Sequence, residues 1–413
     1  MKKRILALSL AAAMLVGAMA SCNAKEEVVS SSVEARDIKL VLWGSEKDQE
    51  FLKEVSADWA TKYAADHEDV KSVEVQVDIK GEDNAGGDAL NDMSAAADVF
   101  GVPNDQLSGL SASNAIYEMP AAIVEDIKAI VGGAIDSTLC DGKYYGFPYA
   151  PNTAEIMFYN KSMYTEDEVK DLGAMLAKDI GCTNLIADVN SAWNSMTWLA
   201  TAGGATFTGG DKTVNTLNKP EVTDMLVWLK EQIDAKKIVD TDSADDAAAL
   251  LKENKAGALF YGRWAAQNFA DALGDNYGVC ELPSLNGQHL TCFGGGKLLV
   301  LNAQTKEPEA ALDLAKFIIS EESQLKRFEM VQNTPTAFNL ANNEKVKADP
   351  SVAAEVAQGA YTINNNPLNN DAKYWDLEAA VMTSLYNGEL ADKDAIQAAL
   401  DKLVADMNTN LGL

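Results

Sequence analysis

Apolar and polar positions along this chain fall into alternating blocks of two periods. Residues 38–43 (IKLVLW) form a short β-branched apolar run closed by Gly44, the pattern of a buried strand. Over residues 50–65, Phe51, Val55, Trp59 and Tyr63 recur every fourth position and predict an amphipathic helix. Residues 73–79 (VEVQVDI) alternate strictly and predict a second strand. An Ala/Met-rich helix is expected over 89–97 and a buried strand over 98–102. Strand, helix, strand, helix, strand implies a mostly parallel sheet with helices on its faces.

The same grammar continues to the C-terminus. Strands are expected at 143–148, 156–159, 257–262, 277–282 and 297–301, with residues 149–153 as a crossover. Helices are expected at 166–178, 191–202, 219–236, 245–254, 307–319, 321–331, 351–359, 377–387 and 392–408; Pro220 suits the first turn of its helix. Asn286-Gly287 reads as a turn. No repeat of 20–50 residues is present, which excludes a solenoid. The pattern is an α/β chain of two units joined by more than one crossover. Ligands in such folds sit at the carboxyl ends of strands, in a cleft between units.

The N-terminus reads differently. Lys2, Lys3 and Arg4 precede an apolar run over residues 5–19, a secretion signal too short to span a membrane. Met19-Ala20-Ser21-Cys22 resembles a lipobox, which implies cleavage after residue 21 and a lipid on Cys22; ordinary secretion of a soluble product is the alternative. Residues 23–35 are Ser/Glu-rich without apolar period and read as a tether. The expected organisation is a signal over 1–21 and a lipidated tether over 22–36, holding a folded domain off the outer face of the cell membrane (facing the periplasm in a two-membrane cell).

Composition narrows the ligand. The formal net charge is −28, which disfavours nucleic acid and, without a local basic pocket, an anionic substrate. Apart from Cys22 there are Cys140, Cys182, Cys280 and Cys292, with no C-x-x-C pair, and His67 and His289 are the two histidines, so no metal site or cofactor is expected. Cys280 and Cys292 flank the Asn286-Gly287 turn, and a disulfide between them stays open at this level.

A set of blocks follows in order along the chain: Leu40-Val41-Leu42-Trp43, Ala97-Asp98-Val99-Phe100, Asp141-Gly142-Lys143, Gly146-Phe147-Pro148, Phe158-Tyr159-Asn160-Lys161, Ala202-Gly203-Gly204, Lys255-Ala256-Gly257-Ala258, Gly262-Arg263-Trp264, Tyr277-Gly278, Leu282-Pro283 and Tyr374-Trp375. In these blocks, over nearly all its mature length, the chain resembles extracellular solute-binding proteins of the maltose/maltodextrin-binding type. The resemblance implies a type II, two-lobe periplasmic-binding-protein-like α/β fold with three crossovers closing like a hinge. The first lobe would hold residues 37–151 and 297–336, the second 152–294 and 339–413.

A sugar ring has apolar C–H faces and a belt of hydroxyls, so its site needs flat aromatic surfaces edged by polar side chains. The resemblance implies aromatic platforms at Trp264 and Trp375 and places Trp193 in a ligand cluster. It also implies hydroxyl contacts from Glu46-Lys47 and Asp105, and puts Asn152 and Thr153 at the hinge. Departures bear on subsite number: Val102-Pro103-Asn104 lacks the family's aromatic, and Gln106 replaces an arginine. On residue chemistry, Arg263 could fork to hydroxyls or pair with an acid, and Tyr149 and Tyr261 could add edges or stacks. Trp59, Trp198 and Trp228 fit helical core positions, and Trp43 fits core better than platform.

The expected role is a binding protein without catalysis, a monomer that delivers α-glucans to the transmembrane subunits of an ABC permease. A polyamine or another oligosaccharide remains a rival ligand. A glycoside hydrolase would need two facing carboxylates, and no barrel repeat appears. No G-x-S-x-G is present for a serine hydrolase. Gly294-Gly295-Gly296-Lys297 fails the phosphate-loop pattern because Leu298 follows the lysine, and it reads as a flexible crossover.

Overall fold

The computed structural model describes residues 35–153, 155–207 and 211–413; the signal, Cys22 and nearly all of the tether lie outside them. Two sheets organise the chain. The first contains β1 (Arg36–Gly44), β2 (Val70–Ile79) and β3 (Val99–Pro103), with β1 parallel to both neighbours. Ile38, Leu40 and Leu42 of β1 are fully buried and pack on Phe51, Val55 and Trp59 of the helix Gln49–Asp66. Each such side chain contributes about 1.5–3 kcal/mol by leaving water. Trp59 joins this core as expected, its indole N–H donating to Asp313 at 2.7 Å.

The second sheet is built from β5 (Ile156–Asn160), β6 (Thr183–Ile186), β7 (Ile238–Val239), β8 (Ala256–Tyr261) and β9 (Tyr277–Cys280), in the order β9-β5-β8-β6-β7. The unbroken apolar run of β5 has a direct cause. Met157 and Tyr159 enter one core with Trp198, Phe260 and Tyr374, while Ile156 and Phe158 enter another with Phe269 and Leu251. A strand covered on both faces cannot alternate.

The first sheet also contains β4 (Phe147–Thr153) and the long β10 (Cys292–Leu301), antiparallel to each other; β10 also pairs with β3 and, at its start, with β11 (Thr362–Asn364). Residues 149–153, expected as a crossover, therefore extend a strand of the first sheet before the chain enters β5 of the second. The triple glycine is likewise regular strand and not a flexible link. A Cβ on Gly295 would meet the Asn104 side-chain oxygen at 2.6 Å, so a side chain there would displace the Asn104 amide, whose oxygen accepts from the Gly296 N–H at 3.1 Å.

Other boundaries moved for identifiable reasons. The helix expected at 89–97 is Glu82–Asn91, because Asp92 accepts from the Ser94 N–H (3.0 Å) and hydroxyl (2.7 Å) and turns the chain out. The helix expected at 191–202 begins only at Met196, after turns in which the Asn194 and Ser195 N–H groups donate to the Ser191 carbonyl at 3.1 and 2.8 Å. The helix Ala121–Val131 and strand β6 had not been expected. Asn286 and Gly287 both hold positive φ (53° and 80°) in a tight hairpin, as the turn requires. Cys280 is a free thiol, so no disulfide joins it to Cys292; burial pushes its pKa up to about 12.

Candidate functional site

A cleft of about 820 Å³ opens at the carboxyl ends of strands from both sheets. Ser45, Lys47 and Asp48 follow β1, and Asp105 follows β3; Asp188 follows β6, and Arg263 and Trp264 follow β8. Trp193, Tyr261, Asn194, Asn365, Asn370 and Trp375 complete the wall from the second sheet's side.

The aromatic residues differ in exposure and packing. Trp264 is 45% exposed, and its indole folds back over Gly262, where an added Cβ would meet the ring at 2.0 Å. Tyr261 lies 6.0 Å from it, centroid to centroid, with its hydroxyl donating to the Asp242 carbonyl at 3.0 Å. Trp375 is fixed: it packs at 5.0 Å against Tyr374 and 5.9 Å against Phe293, and its N–H donates to Asn370 at 2.5 Å. Trp193 stacks on Phe293 at 5.3 Å and lies 6.3 Å from Trp375.

The cations of the cleft are largely committed. Arg327 holds Asp48 in a two-pronged pair, both contacts 2.9 Å, and donates to the Tyr149 carbonyl at 3.0 Å. Lys297 lies 3.1 Å from both Glu82 and Asp83. Burial alone would lower the Lys297 pKa, and these two acids more than reverse it. Arg263, 4% exposed, donates to Asp349 at 2.9 Å and to the Gln332 carbonyl. Lys47 donates to the Trp264 carbonyl at 3.1 Å, and burial lowers its pKa. An anionic ligand would have to compete with carboxylates already paired inside the site.

Several acids on the wall have raised pKa values. Burial raises Asp105, tempered by hydrogen bonds from Asn365 and Asn370, and one of its carboxylate oxygens has no partner. Burial pushes Asp188 up to about 6, with Asp240 and Asp242 adding to the rise. Glu355 is raised by burial, with Arg263 and the Thr334 hydroxyl acting against it.

The cleft thus gathers Trp264, Trp375, Trp193, Asp105, Lys47, Arg263 and Tyr261. Glu46 is exposed and outside it; Asp48, two residues on, turns inward instead. Tyr149 is no edge or stack for a ligand: it is 2% exposed beneath the cleft, with the Arg327 guanidinium 3.6 Å from its ring centre. Of the two readings for Arg263, pairing with an acid is the one realised. Asn152 pairs through its backbone with Gly295, and its side chain lies outside the described residues, as does that of Thr153. Trp43 lies outside the cleft, 6.0 Å from Phe100.

The family model of bacterial extracellular solute-binding proteins matches residues 58–354. The chain belongs to that family. A galactooligosaccharide-binding protein of Bacillus subtilis is 24% identical over 401 residues, covering 93% of this chain and 92% of that one. A maltooligosaccharide ABC transporter solute-binding lipoprotein of Streptococcus pneumoniae serotype 4 is 26% identical over 416 residues, covering 94% and 92%. Among solved structures, a maltodextrin-binding protein from L. casei BL23 without ligand superposes with a TM-score of 0.79 at 25% identity, covering 90% of this chain and 98% of that one. The two-lobe α/β fold is common to this solute-binding protein and that structure.

Sequence reasoning missed Asp48, Arg327, Asp188, Asn194, Asn370 and Lys297 in the wall of this solute-binding protein. Asp48 and Asp188 carried a usable signal, since each follows the carboxyl end of a strand. Arg327 carried none, lying inside the helix Glu321–Val331 with a partner 279 positions away.

Proposed function

We propose that this protein captures maltooligosaccharides in its cleft by hinge closure and hands them to the transmembrane subunits of an ABC importer, acting as a monomer without catalysis. The carrying observation is the pairing of an exposed indole, Trp264, with Tyr261, Trp193 and Trp375 in a cleft where Arg263, Lys297 and Arg327 are all ion-paired. Aromatic faces suit the C–H faces of sugar rings, and a charge-balanced polar wall suits a neutral, hydroxyl-rich ligand. The names of the pneumococcal lipoprotein and the L. casei protein support an α-glucan.

In this reading the lobes are residues 37–151 with 297–336, and 152–294 with 339–413, β11 reaching back into the first sheet. Ligand contacts both lobes only when they are close, and so favours the closed form by its differential affinity. Cys22 anchors the protein by lipid to the outer face of the membrane, and the tether over residues 23–35 gives it reach.

A second reading keeps the transport role and changes the sugar, since the Bacillus subtilis relative is named for galactooligosaccharides. Tryptophan fluorescence of the purified protein, titrated with maltose, maltotriose, galactooligosaccharides, cellobiose and spermidine, separates them. Saturable change with α-glucans alone supports the first reading. A response only to galactooligosaccharides replaces the ligand, and a response only to spermidine overturns the carbohydrate reading.

A further inference from the structure

The exposed indole of Trp264 is held by few contacts of its own. Among the described residues its one ring partner is Tyr261, 6.0 Å away, and otherwise it rests over Gly262. Where such a ring stands is set by the backbone that carries it, the tight turn Arg263–Ala265 after strand β8. That turn is anchored through the side chain next to the indole. The Arg263 guanidinium, 4% exposed, donates to the Gln332 carbonyl and, at 2.9 Å, to Asp349, which caps the helix Pro350–Gln358. Glu355 of that helix stands 4.0 Å from the remaining guanidinium nitrogen and accepts from the Thr334 hydroxyl.

Gln332 closes the helix Glu321–Val331 in the left-handed conformation, with φ 60°. The same helix carries Arg327, which grips Asp48, and the neighbouring Lys47 donates to the Trp264 carbonyl at 3.1 Å. These contacts close a ring. One assembly, the helix Glu321–Val331 with the loop after β1, reaches the Trp264 turn twice, through Arg263 on one side and through Lys47 on the other.

We propose that Arg263 is a positioning residue: its fork onto Gln332 and Asp349 sets where the Trp264 indole stands in the cleft, and Arg263 itself does not take up ligand. The inference rests on the carbohydrate reading above for what Trp264 meets, and it deepens that reading by naming what holds the platform. The planar guanidinium reaches a carbonyl and a carboxylate together, whereas a lysine ammonium keeps the charge without that fixed fork.

Arg263→Lys and Asp349→Asn test it. Asp349 lies outside the cleft wall, so its nearly isosteric replacement acts on Trp264 through Arg263 and not through the ligand. Thermal melting checks that both variants fold. Fluorine NMR of the ligand-free, fluorotryptophan-labelled protein reads the indole, with Trp264→Phe identifying its resonance, and calorimetry with maltotriose reads affinity. In both variants the Trp264 resonance is expected to move, and maltotriose to bind roughly fivefold more weakly, the scale of one lost hydrogen bond. A merely structural role would lower the melting temperature and leave both readouts alone. A Trp264 resonance that stays in place in the folded variants overturns the proposal, whatever the affinity. Weaker binding in Arg263→Lys alone, with Asp349→Asn within about twofold of wild type, also overturns it and makes Arg263 a direct ligand contact. Wild type that binds no sugar, or binds spermidine only, overturns the carbohydrate reading, and the ligand-free resonance still decides the positioning role.

Discussion

The Arg327 guanidinium grips the Asp48 carboxylate with two contacts of 2.9 Å, although 279 positions separate them in the chain. Both side chains are 2% exposed, so neither can turn to water if the other is lost. Arg327 also binds the Tyr149 carbonyl and covers the Tyr149 ring, tying the helix Glu321–Val331 to the loop after β1 and to β4. Arg327→Met is expected to cost about 3–5 kcal/mol by stranding a buried carboxylate. Urea denaturation measures this directly. A loss below about 1 kcal/mol would mean that the pair behaves like an exposed one.

Two other buried acids predict how stability varies with pH. Burial pushes Glu155 and Glu378 each up to about 8, with hydrogen bonds from Thr197 and Ser195 opposing the rise and the Asp188 charge adding to it. The folded protein therefore keeps protons that the unfolded chain releases near the ordinary value of 4.5. The stability tied to these protons is fully present below that value and is lost as pH climbs to about 8. The slope is at most about 1.4 kcal/mol per pH unit for each group. Glu155→Gln and Glu378→Gln should each flatten this decline in denaturation series. Unchanged slopes in both would show that the two acids are ionised in the folded state at neutral pH.

Much of this fold was readable from local period. Strand β1 stood out as a compact apolar run, β2 by its strict alternation, and the helix Gln49–Asp66 by apolar residues at every fourth position. The helix Glu82–Asn91 was misplaced because an Asx-type turn at Asp92, not apolar spacing, sets its end. The resemblance pointed to Trp264, Trp375 and Trp193, and all three line the cleft, whereas Trp43, which also sits at a strand end, lies outside it. The charged half of the candidate site was not legible. Arg327 and Asp48 meet across 279 positions of sequence, and the unpartnered Asn194 carbonyl oxygen is defined by a contact with Asp188 that no local pattern announces.

Of the three indoles of the candidate site, Trp264 and Trp375 should respond differently to removal. Trp264 is 45% exposed, so Trp264→Ala is expected to change stability by less than about 0.5 kcal/mol. It should nonetheless weaken sugar binding by about 2 kcal/mol, roughly thirtyfold, through lost apolar contact. Trp375 packs against Trp193, Phe293 and Tyr374, so Trp375→Ala should cost about 3 kcal/mol of stability in addition to affinity. Gly262→Ala offers a subtler check, because its methyl would displace the Trp264 ring without removing it. Full affinity in Gly262→Ala would show that the ring's resting position is irrelevant to binding.

Lys47 reaches from the loop after β1 to the backbone carbonyl of Trp264, which follows β8 of the other sheet, at 3.1 Å. This bond can exist only while the lobes are close, so it favours closure before any ligand arrives. Its contribution is about 1 kcal/mol, which shifts an open–closed balance roughly fivefold. Lys47→Met keeps the aliphatic stem and removes the donor. X-ray scattering of the ligand-free variant should then show a larger radius of gyration than wild type, and saturating maltotriose should erase the difference. Affinity alone would not discriminate, because Lys47 lines the cleft and could also touch the sugar. Superposable ligand-free scattering curves would leave Lys47 as a ligand contact and remove its role as a latch.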